Sequence, residues 1–262
     1  EQRVHVLHER GAEVVGLDRR PTSAPVAAFE TVDLDDSGSI ARAADAIGDP
    51  VDALFNVAGV TGAIPPPVVV GINFVGTREL TERLVERMAP GSAIVNTASV
   101  AASHHEERRA LVEALLATPD RAAAMAWCHA HADAVGTGYA VSKDAIVWYT
   151  RHRALDLAPA GVRVNAVAPG ITQTPIIEDS RRARGDGFLD AIPMPAGRMA
   201  QPREQAEVLA FLGSPLAGYV SGQIVWADGG YMAGVATGRL QNVTGSVGVA
   251  PSTNLYCARG LD

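Results

Sequence analysis

The chain has 262 residues and a net charge of −7, from 22 Lys and Arg against 29 Asp and Glu; so acidic a balance excludes the basic face that a nucleic-acid partner needs. Hydrophobic residues make up 47%, enough for a substantial core in one large α/β domain. No apolar run approaches the roughly 20 residues of a membrane span, no basic-then-apolar leader opens the chain, and Cys128 and Cys257 lie too far apart in sequence to suggest a disulfide framework, so the expectation is a cytoplasmic protein with no membrane and no nucleic-acid partner.

The first stretch, EQRVHVLHERGAEVVGLDRR, reads as an amphipathic helix, a turn at Gly11, a strand over AEVVGLD and an acid, Asp18, at the strand's end. FETVDL, VDALFNVAG, GSAIVNTAS, VRVNAVAPG and GQIVWADGG follow as further strands. They are apolar on both faces, as parallel strands covered by helices must be. GTRELTERLVERM and YAVSKDAIVWYTRHRALDLA read as helices between them. This alternation predicts an α/β fold with a parallel sheet and right-handed crossovers.

Residues 103–136 interrupt the rhythm and read as a helical insertion of two short helices, split at Thr118-Pro119. Residues 175–195 read as a lid. The expected organisation is one domain over 1–242 and a loose C-terminal extension over 243–262.

Tyr139 and Lys143 carry the chemistry that stands out. Their i, i+4 spacing puts both on one helix face. A tyrosine pKa near 10 is too high for a base at neutral pH. An ammonium about 4 Å away, at a dielectric near 20, favours phenolate by roughly 4 kcal/mol, or about three pKa units. That brings the pair into the range of a general acid/base, although Tyr-x-x-x-Lys also arises by chance on many helices. Ser99 ends a strand at the carboxyl edge, where open α/β sheets bind ligands. His104, His105, His129, His131 and Cys128 cluster in the insertion. They meet no zinc spacing and the histidines are read as surface residues on polar helix faces, so no metal is expected. Met125 and Trp127 read as core or lid contacts.

In this order the motifs resemble those of the short-chain dehydrogenase/reductase family over roughly residues 3–242. Asn56-Val57-Ala58-Gly59 stands where the family has Asn-Asn-Ala-Gly, with one substitution. Ser99, Tyr139, Lys143 and the helix asparagine Asn73 match its active-site set. Pro169, Gly170 and Thr174 match its Pro-Gly-x-x-x-Thr, and Arg198 and Asp228-Gly229-Gly230 also fit. The resemblance implies a single Rossmann-like, doubly wound parallel sheet with helices on both faces. It implies an oxidoreductase moving a hydride between NAD(P) and a carbonyl or secondary alcohol. Tyr139 would act as acid/base, Ser99 would bond the same oxygen, Lys143 would lower the tyrosine pKa and grip the nicotinamide ribose, and Asn73 would hold a water. Asp18, Asp33, Leu34, Asn56, Ala58, Gly59, Tyr139, Lys143, Pro169, Gly170, Thr172 and Thr174 would bind the cofactor. NAD is favoured over NADP because Asp18 occupies the ribose position, while Arg19 and Arg20 keep the 2′-phosphate form open.

Tyr139 follows Ser99 by 40 positions. That long insertion resembles the bacterial 3α-hydroxysteroid dehydrogenase/carbonyl reductases and implies a hydroxysteroid or other hydrophobic small-molecule substrate. A homo-oligomer, dimer or tetramer, is expected, with the insertion altering the usual tetramer contact.

Against this pattern, the first strand and its glycine-rich phosphate loop are missing before Glu1. Three explanations stand: a start further upstream, a defective product, or replacement by the tail segment NVTGSVGVA, which would pair between the strands ending at Asp18 and Asn56. The rival function is a truncated or non-catalytic Rossmann-like protein with little or no cofactor binding.

Overall fold

A computed structural model of the protein describes residues 2–48, 50–61, 64–174, 177, 187 and 191–244. After helix α1 (Gln2–Glu9), strands β1 (Val15–Asp18) and β2 (Ala28–Thr31) pair in parallel, with Val15 opposite Ala28. Strands β3 (Ala53–Asn56), β4 (Ala93–Thr97), β5 (Arg163–Pro169) and β6 (Ile224–Ala227) form a second parallel ladder in that order. Among the described residues β1 and β3 share no ladder. The tail does not join them. Thr244 Oγ1 donates to the Val100 carbonyl at 2.8 Å, past the end of β4, so residues 240–244 do not enter the sheet. This overturns the replacement expectation: buried hydrogen bonds hold the segment at another place. The rest of NVTGSVGVA, from residue 245, lies outside the described residues.

Alternate strand residues face opposite ways, and each face is covered. Leu54, Ile94 and Val164 pack with helix α2 (Ser37–Ala46) and helix α4 (Thr77–Leu84), which follows α3 (Pro66–Val70) and a π-helical segment (Gly71–Gly76). Phe55, Val95 and Val167 turn to the other face. There they meet Leu209 and Leu212 of the next-to-last described helix, Pro202–Gly213.

The insertion holds three helices rather than two: α5 (Arg109–Leu116), α6 (Arg121–Ala130) and α7 (Ala132–Val135). Pro119 separates the first pair as expected, and Asp120 caps α6 by accepting from the Ala123 N–H at 2.8 Å. His131, outside helical geometry at φ −118°, makes the additional break. The insertion belongs to the core, since Val112, Leu115, Ala124, Cys128 and Val135 bury with Phe74 and with Ile146 of α8 (Tyr139–Leu157). Met125 and Trp127 pack at the edge of this cluster.

His105 departs from the surface reading. It is buried, Nδ1 donates to the Ala102 carbonyl at 2.8 Å, and the ring lies against Trp148 and Trp226. Burial pushes its imidazole below the ordinary value. The short turn after β4 folds it back onto the core, which spacing along the chain does not reveal. Arg108 pairs with Asp144, whose side chain is fully buried, and so ties the insertion to α8. Burial raises the Asp144 carboxyl to about 6, against the pull of Arg108. The chain completes the described fold with α9 (Pro202–Gly213) and α10 (Tyr231–Ala236) around β6.

Candidate active site

The expected site residues gather at the carboxyl ends of the parallel strands, the edge where such sheets bind ligands. Asp18 ends β1, Asn56 ends β3, Ser99 follows β4 by two residues, and Pro169 ends β5. Helix α8 is aimed at this edge by Gly138. Its φ is +78°, and a Cβ there would lie 2.4 Å from the Pro66 carbonyl oxygen, so only glycine fits both the turn and the approach to α3. Tyr139 is therefore the first helical residue, and Lys143 stands one turn later.

Lys143 Nζ donates to the Thr97 carbonyl at 2.9 Å and sits 5.8 Å from the Tyr139 ring centre. Its side chain is buried, and burial lowers the ammonium to about 8. Ser99 has an extended backbone and caps the 3₁₀ turn Val100–Ala102, its Oγ accepting from the Ala101 N–H at 3.2 Å.

Asn73 lies in the π-helical segment, whose wider turn is a common device at functional sites. Its Oδ1 accepts from the Val60 N–H at 2.8 Å, and its Nδ2 donates to the Val60 carbonyl at 3.0 Å and to Ser142 Oγ at 3.2 Å. It thus clamps the loop after β3 to the first turn of α8. Gly59 lies in that loop, where an added Cβ would meet Asn73 Oδ1 at 3.2 Å and Lys143 Nζ at 3.7 Å. Asn73, Gly59 and Lys143 therefore converge on one small space that glycine leaves open.

Asn56 is placed differently from the sequence expectation of a cofactor contact. Its Nδ2 donates inward, to Thr81 Oγ1 at 2.9 Å and Asn96 Oδ1 at 2.8 Å, while Asn96 donates to Thr150 Oγ1. The side chain serves a buried polar ladder joining β3, β4, α4 and α8, because a buried amide needs partners. Asp18 is exposed and accepts from the Arg20 N–H at 3.0 Å. Arg3 of α1 feels its charge, although burial lowers that guanidinium to about 10. Asp33 Oδ2 lies 3.6 Å from Arg19 Nε. Leu34 is buried, and its carbonyl accepts from Arg121 at 2.7 Å. Ala58 is exposed. Past Gly170, Thr172 Oγ1 donates to the Gly170 carbonyl and Thr174 Oγ1 to the Thr172 carbonyl, so both hydroxyls brace their own loop.

A cavity of about 210 Å³ opens beside this edge, lined by Val100, Ile171, Ile192, Met194 and Tyr231 among others. Sequence reasoning missed Val100 and Tyr231. Their only signal was position, next to Ser99 and next to Asp228-Gly229-Gly230. Arg198 forms an ion pair with Glu204 at 2.7 Å in the first turn of α9. Of the expected lid, 175–195, residues 175–176, 178–186 and 188–190 lie outside the described residues.

Residues 2–168 match the model of the NAD dependent epimerase/dehydratase family, and residues 129–232 match that of the enoyl-(acyl carrier protein) reductases. The chain is 32% identical over 234 residues to the 3-alpha-hydroxysteroid dehydrogenase/carbonyl reductase of Comamonas testosteroni, an alignment covering 86% of this chain and 89% of that protein. The chain belongs to the short-chain dehydrogenase/reductase family. This short-chain dehydrogenase/reductase is also 30% identical over 226 residues to the coniferyl-alcohol dehydrogenase of Pseudomonas sp. (strain HR199 / DSM 7063), again over 86% of this chain and 89% of the relative. Its fold is similar to the crystal structure of the 3-alpha-hydroxysteroid dehydrogenase from Pseudomonas sp. B-0831 complexed with NADH, with a TM-score of 0.76 and 30% identity over 92% of this chain and 94% of that one.

The expected Rossmann-like parallel sheet with helices on both faces holds. So does the expected activity: this short-chain dehydrogenase/reductase is an oxidoreductase that moves a hydride between a nicotinamide cofactor and an alcohol or carbonyl of a small molecule. Among the described residues no helix is long and apolar enough to cross a membrane. The residues present fit the two ribose ends of such a cofactor, with a carboxylate at the end of β1 and the open space at Gly59 beside the Lys143 ammonium. Among the described residues no glycine-rich turn leads a strand into a helix N-terminus at the break between β1 and β3.

Proposed function

We propose that the chain interconverts a ketone and a secondary alcohol on a hydrophobic substrate of the hydroxysteroid kind, with NAD preferred to NADP. The observation that carries this reading is the buried Lys143 ammonium set 5.8 Å from the Tyr139 ring, beside the turn that Ser99 caps. When bound, the nicotinamide supplies or accepts the hydride. Tyr139 gives its phenolic proton to the substrate oxygen in reduction and takes it back in oxidation. Ser99 donates a hydrogen bond to the same oxygen as charge develops. Lys143 favours the phenolate by its charge and holds the nicotinamide ribose. Asn73 keeps the Val60 loop and the start of α8 in register; the water proposed for it rests on the family resemblance alone.

Asp18 would receive the adenosine ribose hydroxyls, Asp33 and Leu34 the adenine, Ala58 and Gly59 the strand-end face, which Asn56 holds in place from the interior, and Pro169, Gly170, Thr172 and Thr174 the nicotinamide side. The engagement of Arg19 with Asp33 supports NAD, since that guanidinium already faces a carboxylate. The apolar lining given by Val100, Ile171, Ile192 and Met194 supports a hydrophobic substrate. The family resemblance supports a homodimer or homotetramer. Helix α5 packs along α8, which supports a contact altered by the insertion.

Fluorescence titration tests the cofactor part. NADH is expected to bind about tenfold more tightly than NADPH, a difference of about 1.4 kcal/mol. Asp18→Ala should bring the two affinities together, because the charge that repels a 2′-phosphate is gone. Equal affinities in the wild-type chain would overturn the NAD assignment.

A further inference from the structure

The 3₁₀ turn after Ser99 is held by an unusual set of side chains. Its three successive carbonyls each receive one. Val100 accepts from Thr244 Oγ1 at 2.8 Å, Ala101 from Arg108 Nη2 at 3.4 Å, and Ala102 from His105 Nδ1 at 2.8 Å. Two of these donors come from the insertion, and the third comes from a segment 144 residues further along the chain.

That distant segment, Asn242–Thr244, makes several bonds here. A carbonyl can only accept, so the Thr244 hydroxyl proton belongs to Val100, and Thr244 Oγ1 meets Ser103 Oγ at 3.1 Å as an acceptor. Ser103 Oγ also lies 3.0 Å from Asn242 Oδ1 and 3.1 Å from the Thr244 carbonyl. Asn242 Oδ1 accepts from the Tyr231 hydroxyl at 3.2 Å, and that hydroxyl accepts from the Val243 N–H at 2.8 Å. Thr244 and Tyr231 are both buried. Val100 and Tyr231 line the same cavity from the Ser99 turn and from α10. The segment therefore joins two walls of the cavity, one of which begins at the residue next to Ser99.

We propose that Asn242–Thr244 is a clamp that sets the position of Ser99 and the separation of Val100 from Tyr231, which makes Asn242 and Thr244 positioning residues for the reaction. The proposal rests on the reading of Ser99 as the hydroxyl that bonds the substrate oxygen. Neither clamp residue touches the reacting atoms. Each acts through the backbone of the Ser99 turn, where a displacement of a fraction of an ångström misaligns a hydrogen bond to the substrate oxygen.

Thr244→Val keeps the shape and removes the donor, and Thr244→Ser keeps the donor. With a hydrophobic ketone and NADH, Thr244→Val is expected to lower kcat about tenfold, the effect of one misplaced hydrogen bond. NADH affinity should stay within about twofold, and Thr244→Ser should recover wild-type kcat within about twofold. In the same proteins without substrate, amide hydrogen exchange at Ala102 and Ser103 should speed up in Thr244→Val and return to normal in Thr244→Ser. Wild-type kcat together with unchanged exchange in Thr244→Val would overturn the clamp. If the wild-type chain reduces no ketone, the reading of Ser99 falls, and the exchange measurement alone decides whether the segment fixes the turn. Unchanged exchange then overturns the clamp as well.

Discussion

Replacing Tyr139 with Phe lowers kcat by about 10²–10⁴-fold and leaves NADH affinity within about twofold, because the substitution removes the proton carrier and keeps the ring. The ring still opens α8 after the left-handed Gly138, and Lys143 Nζ still lies 5.8 Å from its centre. The Lys143 bond to the Thr97 carbonyl is untouched. Helix geometry, the Asn73 clamp on Val60 and the strand ends are likewise independent of the hydroxyl. Steady-state kinetics with a ketone, set beside an NADH titration, separate the two effects. Turnover retained by Tyr139→Phe would take Tyr139 out of its role.

The second large effect is a divided one. Lys143→Met abolishes most turnover and at the same time stabilises the fold. Burial lowers the Lys143 ammonium from 10.5 to about 8, and a shift of that size costs the folded chain about 3 kcal/mol at neutral pH. Methionine fills a similar volume with no charge to desolvate. The lost bond to Thr97 reduces the gain, so a rise in melting temperature of about 5 °C is expected at pH 7. The sign of the pH dependence follows from the direction of the shift. Between about pH 8 and 10.5 the unfolded chain holds the lysine proton and the folded chain has released it. Wild-type stability therefore rises with pH across this window. The advantage of Lys143→Met is full below about pH 8 and disappears near 10.5. Thermal melts of both proteins across that range check it. A variant no more stable than wild type at pH 7 would show that the ammonium is well solvated in its site.

Strands were legible because parallel strands covered on both sides carry apolar residues on both faces, as Ala93, Ile94 and Val95 and then Val164, Ala166, Val167 and Ala168 do. Tyr139 and Lys143 were legible because their spacing, Ser99 at a strand end and the Asn56–Gly59 turn occur in one order. Other features depend on contacts far apart in sequence. The π-helical turn that places Asn73 has no proline in GINFVG to announce it. Asn56 looked ligand-facing until Thr81 and Asn96 were found beside it in the interior. His105 sat in a polar run, SHHEERR, and only the fold puts Trp148 and Trp226 around it. The tail was read as a loose extension, yet Asn242–Thr244 is anchored against Ser103 and Val100. A bond spanning 144 positions leaves no periodic trace in the sequence.

The central claim is that this chain moves a hydride between the nicotinamide and a carbonyl carbon while Tyr139 handles the proton. The most direct measurement supplies NADH carrying deuterium at both C4 positions together with a hydroxysteroid-type ketone, and reads the alcohol product by mass spectrometry. The expected product is an alcohol carrying one deuterium at the former carbonyl carbon, formed by the wild-type chain and in much smaller amount by Tyr139→Phe. An alcohol formed without deuterium, or no alcohol while NADH is bound, would contradict it.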